Sequence, residues 1–136
     1  MKLLILDCSS FGFELDHKTK IGEEIGDLPM KERYDNCLVV FVSIEKEDSV
    51  SIVKRVGKDL IDICGKNGRK TIFLNPFAHL SSSLANSKQS LEIIKAIEIE
   101  LKDTSDLNVA RGLFGWYKKF DISVEGHGNS QIFKEY

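Results

Sequence analysis

Two prolines, one tryptophan, three scattered cysteines and no surplus of basic charge mark what this sequence has little of. Cys8, Cys37 and Cys64 are odd in number and include no C-x-x-C pair, so neither a disulfide framework nor a zinc site is indicated; buried, reduced thiols are expected. Lys and Arg total 19 against 21 Asp and Glu, a formal charge of −2, which excludes the basic body that nonspecific nucleic-acid binding usually needs. Any nucleic acid must be held locally or by another module. The opening MKLLILDCSS has an apolar run too short for a signal sequence, and no stretch approaches the roughly 20 apolar residues of a membrane span. A soluble, cytoplasmic protein with no membrane contact is expected. Walker A, G-x-G-x-x-G, H-E-x-x-H and G-x-S-x-G are all missing, which removes the commonest nucleotide, metal and serine-hydrolase readings. No internal repeat, low-complexity segment or linker divides residues 1–136, so they read as one domain with one core.

What is present reads as strands alternating with two helices. Lys2–Asp7 is a short apolar run, and Phe11, Phe13 and Leu15 alternate around Gly12 and Glu14; together they predict a β-hairpin at the start. Residues 16–37 mix charges with Gly22, Gly26 and Pro29 without a firm period, so a long loop is expected there, with a turn of helix at most. Cys37–Ile44 (CLVVFVSI) is continuously apolar, the pattern of a central strand buried on both faces. Asp48 or Ser49 can cap a helix whose apolar side is Val53, Val56, Leu60 and Ile63, ended by Gly65 and Gly68. Asn86, with Gln89 three residues on, opens a second helix with Leu91, Ile94, Ile97 and Leu101 on one face. Short strands at Asp106–Ala110, Trp116–Val124 and Gln131–Lys134 complete a compact α/β domain of β-sheets packed with two main helices.

Chemistry concentrates around Thr71–Ser83, TIFLNPFAHLSSS. The strand stops at Asn75-Pro76, because proline has no N–H for the ladder, and the turn beyond presents His79 among Phe77, Ala78 and Leu80. In the strand from Trp116, the register sets Lys118 beside Phe120, Ile122 and Val124, where desolvation would lower its pKa. Tyr117 precedes it, and His127 begins the turn Gly126-His127-Gly128-Asn129. Each also has an ordinary structural role: turn histidines are commonly hydrogen-bonded in place, and lysines snorkel to solvent.

Pro76-Phe77-Ala78-His79-Leu80-Ser81-Ser82 and Phe114-Gly115-Trp116-Tyr117-Lys118, followed by Asp121-Ile122-Ser123 and Gly126-His127, resemble the paired motifs of the N-terminal editing domain of archaeal threonyl-tRNA synthetase. The opening MKLLILDCSS and the run Phe41–Lys46 match in kind and order, so the resemblance covers nearly the whole chain. It implies a D-aminoacyl-tRNA deacylase-like fold, a homodimer, and proofreading in translation by hydrolysis of the ester in seryl-tRNA(Thr). His79, Tyr117 and Lys118 would occupy the catalytic pocket, and the backbones of Ala78 and Ile44 would meet the seryl group and terminal adenosine. Pro76, Phe77, Phe114, His127 and Gln131 would complete the substrate contacts. No metal or cofactor is implied; a positioned water and the 2′-hydroxyl of the tRNA's last nucleotide suffice. The implied partners are the 3′ end of tRNA(Thr) carrying serine and the synthetase's catalytic and anticodon-binding modules, in cis or in trans. Lys118, Lys119 and Arg111 are the expected grip on the acceptor end. Gln131 departs from the family, which often has a glutamate there; glutamine orients water but is no base near neutral pH. Two rival readings stay open: a D-aminoacyl-tRNA deacylase, and an inactive dimerisation or tRNA-docking module.

Overall fold

In the computed structural model, which describes residues 1–136, one long strand, β1 (Lys2–Lys18), carries most of the pairing. It is followed by β2 (Lys31–Ser43), a 3-10 turn at Val50–Ile52, α1 (Val53–Lys66), β3 (Thr71–Pro76), α2 (Ser87–Thr104), β4 (Asn108–Arg111), β5 (Trp116–Val124) and β6 (Gln131–Glu135). They form a six-stranded mixed sheet in the order β4-β3-β2-β1-β5, with β6 also on β1. β2, β3 and β4 are parallel neighbours linked through α1 and α2; β2, β5 and β6 pair with β1 antiparallel. β2 is thus the central strand its apolar run predicts.

Both helices cover one face of this sheet. Leu38, Val40 and Val42 of β2 and Ile72 and Leu74 of β3 pack with Val56, Leu60 and Ile63 of α1 and Ile94, Ile97 and Leu101 of α2. A second cluster occupies the opposite face, where Val39, Phe41 and Phe73 meet Phe11, Phe13 and Leu15 and no helix contributes. The continuous apolar run of β2 is explained by this: alternate side chains feed two cores.

The expected initial hairpin is instead a single strand. Leu3 and Ile5 belong to the helix-side core, yet Phe11, Phe13 and Leu15, of the same parity, belong to the other. The change of face falls where β1 shifts register against β5 between Cys8 and Ser10, and where Asn36 of β2 adopts φ 51°. A one-residue irregularity flips every later side chain, so a bent strand looks like two in sequence. The expected long loop also contracts to residues 19–30. Its two ends are strand, held by cross-strand charge pairs such as Lys31 with Glu14 at 3.4 Å and Arg33 with Asp121 at 3.1 Å rather than by apolar alternation.

The helix ends follow the sequence in part. Asn86 caps α2, its Oδ1 accepting the Gln89 amide at 3.0 Å. Ser49 precedes the 3-10 turn but makes no side-chain cap. Asp48 serves elsewhere, accepting the Glu45 amide at 2.6 Å and the Met1 ammonium at 2.7 Å. The three cysteines are free and buried, as expected.

Candidate active site

A cleft of about 390 Å³ opens at the carboxyl ends of β2 and β3, beside the start of β5. Ligand sites commonly lie outside the carboxyl ends of parallel strands in α/β sheets. Eight of the ten sequence-predicted site residues line it: Ile44, Pro76, Phe77, Ala78, His79, Phe114, Tyr117 and Lys118. The two distant motifs therefore meet.

The wall carrying His79 is sewn to the end of β2. Phe77 donates its amide to the Val42 carbonyl at 2.9 Å, and Ala85 donates to the Ile44 carbonyl at 3.0 Å. Ser43 Oγ donates to the Phe77 carbonyl and accepts the Leu80 amide at 3.4 Å. Ser81 Oγ donates to Glu45 Oε1, and Glu45 in turn accepts the Met1 ammonium at 3.0 Å. Held this way, His79 is exposed in the cleft, with its ring edge-on to Phe77 at 5.0 Å.

The opposite wall depends on the loop after β1, which sequence reasoning left blank. Thr19 donates from both its amide and its hydroxyl to the Gly115 carbonyl, at 2.9 and 2.7 Å. Glu23 accepts the Phe114 amide at 2.7 Å, and its own carbonyl accepts Trp116 Nε1 at 2.9 Å. The approach is so close that a Cβ on Gly115, whose φ is +70°, would stand 2.6 Å from Gly22 Cα. Only glycine fits there.

Behind that wall lies a buried ion-pair network. Arg111 donates to both oxygens of Glu23, Nη2 to Oε2 at 3.2 Å, and Nε donates to Glu98 Oε2 at 2.8 Å. Its side chain is only 7% exposed, so the expected role of Arg111 in gripping tRNA is replaced by a structural one. Burial alone would push the Glu23 carboxyl up; hydrogen bonds from Arg111 and the Phe114 amide, with the Arg111 charge, hold it below its usual range.

Lys118 is the chemically unusual group. Across the strand pair it stands opposite Leu15 and so faces the aromatic cluster, where desolvation lowers its pKa to about 8, with Glu23 opposing and Arg111 reinforcing the shift. Its ammonium donates to the Trp116 carbonyl at 3.3 Å. Tyr117 is 59% exposed and stacks on His17 at 4.5 Å. The arrangement combines a desolvated amine, an imidazole and a phenol with apolar walls, a set able to polarise a carbonyl and hold a water. No group of three His, Cys, Asp or Glu side chains stands close enough to hold a metal ion.

His127 and Gln131 do not line the cleft. His127 Nδ1 accepts the Asn129 amide at 3.3 Å, so Nε2 carries the proton to buried Asp7 Oδ2 at 2.8 Å, pinning the β5–β6 turn to β1. Arg69 donates to the same Asp7. Gln131 pairs with Leu6 on β1 whereas Lys118 pairs with Leu15, which separates them by roughly 30 Å of strand.

A sheet with both helices on one face and an apolar-walled cleft beside its parallel strand ends is the fold shared with D-aminoacyl-tRNA deacylase-like structures. A solved structure titled "Structural Analysis of a probable eukaryotic D-amino acid tRNA deacylase" superposes with TM-score 0.63 at 8% identity, covering 98% of each chain. One titled "c-Myc DNA Unwinding Element Binding Protein" gives 0.74 at 12%, covering 100% of this chain and 99% of that one. The model of the Archaea-specific editing domain of threonyl-tRNA synthetase matches residues 1–136, and the chain belongs to that family. Among its relatives are the threonine–tRNA ligases of Staphylothermus marinus, 37% identical over 98% of this chain, and Methanococcus vannielii, 40% identical over 97%. The chain spans 22% and 21% of those proteins' lengths, about a fifth. The family is that of an editing domain of a synthetase, and the superpositions show the fold it shares.

Proposed function

We propose that residues 1–136 form a tRNA-editing domain whose cleft hydrolyses the ester of mischarged seryl-tRNA(Thr), releasing L-serine and sparing threonyl-tRNA(Thr). The observation that carries this is the shared cleft: desolvated Lys118 and the His79 turn line one apolar-walled space of about 390 Å³. A water adds to the seryl carbonyl carbon, the Lys118 ammonium and Tyr117 hydroxyl stabilise the developing oxyanion, and the terminal adenosine's ribose oxygen leaves with a proton. The 2′-hydroxyl of that nucleotide and His79 hold the water, while the Ala78 and Ile44 backbones, with Pro76, position the substrate. Serine and threonine differ by one methyl, worth ~1–3 kcal/mol in a binding pocket, so the sieve works by excluding that methyl against Phe77 and Phe114.

The domain acts in the cytoplasm, joined in cis or in trans to the catalytic and anticodon-binding modules of threonyl-tRNA synthetase, which supply most of the tRNA affinity. A homodimer is favoured by the helix-free sheet face, where Phe120 (40% exposed), Ile122 (37%) and Phe133 (54%) remain uncovered. Gln131, paired with Leu6 and outside the cleft, makes no substrate contact within its own chain in this reading. The deacylase-like fold keeps one rival alive, removal of D-amino acids. Purified chain is to be assayed with L-seryl-tRNA(Thr) and a D-aminoacyl-tRNA in parallel. Loss of the L-seryl ester is expected; rapid loss of the D-form alone would transfer the function to the rival.

A further inference from the structure

Asn75 is next to last in β3, immediately before the site's proline, and is fully buried, yet neither Oδ1 nor Nδ2 has a hydrogen-bond partner in the protein. Buried carboxamides are nearly always paired, and one left unpaired is costly, so it calls for an explanation in function. Its position supplies one. Asn75 Oδ1 lies 3.2 Å from where a Cβ on Gly112 would stand, and Lys118 Cε lies 3.3 Å from that same point. The missing side chain at Gly112 leaves a space that Asn75 Oδ1 and Lys118 Cε both border, together with Phe73 Cζ at 3.2 Å. The Lys118 ammonium has three donors on a flexible stem and only the Trp116 carbonyl, at 3.3 Å, as acceptor. One acceptor leaves the ammonium free to swing; a second would fix its direction.

We propose that Asn75 is a positioning residue of this cleft, its carboxamide oxygen serving as the second acceptor that aims the Lys118 ammonium at the substrate. The proposal rests on the hydrolytic reading only for its kinetic consequence. The charged or titratable groups near Lys118 are Glu23 from the loop after β1, Arg111 from β4, and His79 and Tyr117 in the shared cleft; Asn75 adds a neutral dipole.

Two variants test it. Asn75→Leu removes both polar atoms at similar volume, and Asn75→Asp keeps the shape while placing a carboxylate beside the ammonium. The Lys118 side chain is to be titrated by NMR, and seryl-tRNA(Thr) deacylation measured against pH. Asn75→Asp should raise the Lys118 midpoint by at least about one unit and move the alkaline limb of the rate with it. Asn75→Leu should lower the midpoint and slow kcat roughly tenfold with KM little changed. Should Asn75→Leu not fold, Asn75→Asp decides alone. An unmoved midpoint in Asn75→Asp overturns the proposal, as does a loss in Asn75→Leu that merely tracks its melting. If the parent hydrolyses no seryl-tRNA(Thr) but the midpoint moves as described, the functional reading fails and the positioning role stands.

Discussion

Lys118 is held where the protein must choose between stability and chemistry. Its pKa falls from 10.5 to about 8, chiefly by desolvation. The unfolded chain therefore binds a proton that the folded chain releases between those values, so stability rises with pH across that window and the full penalty applies below it. Replacing the ammonium with an apolar group removes the penalty. Lys118→Met should raise the melting temperature at neutral pH, by the equivalent of ~1–3 kcal/mol, while abolishing deacylation. Urea or thermal unfolding at pH 7 and at pH 10 checks the sign, with the gain expected to shrink at the higher pH. Because the cation is the form that stabilises an oxyanion, the enzymatic rate, after subtraction of hydroxide-driven hydrolysis, should fall as pH rises through about 8.

At the level of elements, the loop between β1 and β2 is the hidden part of the site. Glu23 is a single residue clamping that loop to the Phe114–Trp116 turn and to buried Arg111, whose exposed fraction is 7%. Glu23→Ala leaves Arg111 with Glu98 as its one remaining anionic partner and should cost about 3 kcal/mol in unfolding measurements. Since the Glu23 carboxyl titrates below its usual 4.5, its contribution is present above that pH and lost as pH falls through the depressed value; acid unfolding of Glu23→Gln should accordingly be shallower. Asn36, at φ 51°, marks the bend where β2 changes faces, and Asn36→Val should destabilise by ~1–2 kcal/mol while Asn36→Gly is tolerated. These features also show where sequence reading stops. The helices, β3, β5 and β6 were legible because apolar spacing and the Asn86 cap follow local rules. The bent β1 was not, because its change of face inverts the alternation that identifies a strand. The ends flanking residues 19–30 were not, because opposite charges across strands carry no period. The site divided likewise: the two motifs name the residues that line the cleft, but the placement of His127 and Gln131 depends on where β6 pairs along β1, and Asn75 reads as a turn residue from its Asn-Pro pair although it is buried inside β3 beside Phe41 of β2.

Seen as a whole, the molecule has one sheet face sealed by two helices and one left with uncovered aromatics beside a cleft. A net charge of −2 leaves little general attraction for tRNA, so under the proposed function weak affinity is expected when this chain acts alone, with recognition centred on the acceptor end. Covering Phe120, Ile122 and Phe133 is the apolar gain that a second copy would provide. Sedimentation should report twice the 15.4 kDa chain mass, and Phe133→Glu should shift it toward the monomer. The central claim, that His79 and Lys118 share a hydrolytic cleft that accepts the seryl ester and rejects the threonyl one, is tested most directly by first-order deacylation of seryl-tRNA(Thr) and threonyl-tRNA(Thr), side by side, with the parent chain and Lys118→Met. The account predicts that the parent clears only the seryl ester and that Lys118→Met leaves it at the uncatalysed rate; equal clearance of both esters, or undiminished activity in Lys118→Met, would contradict it.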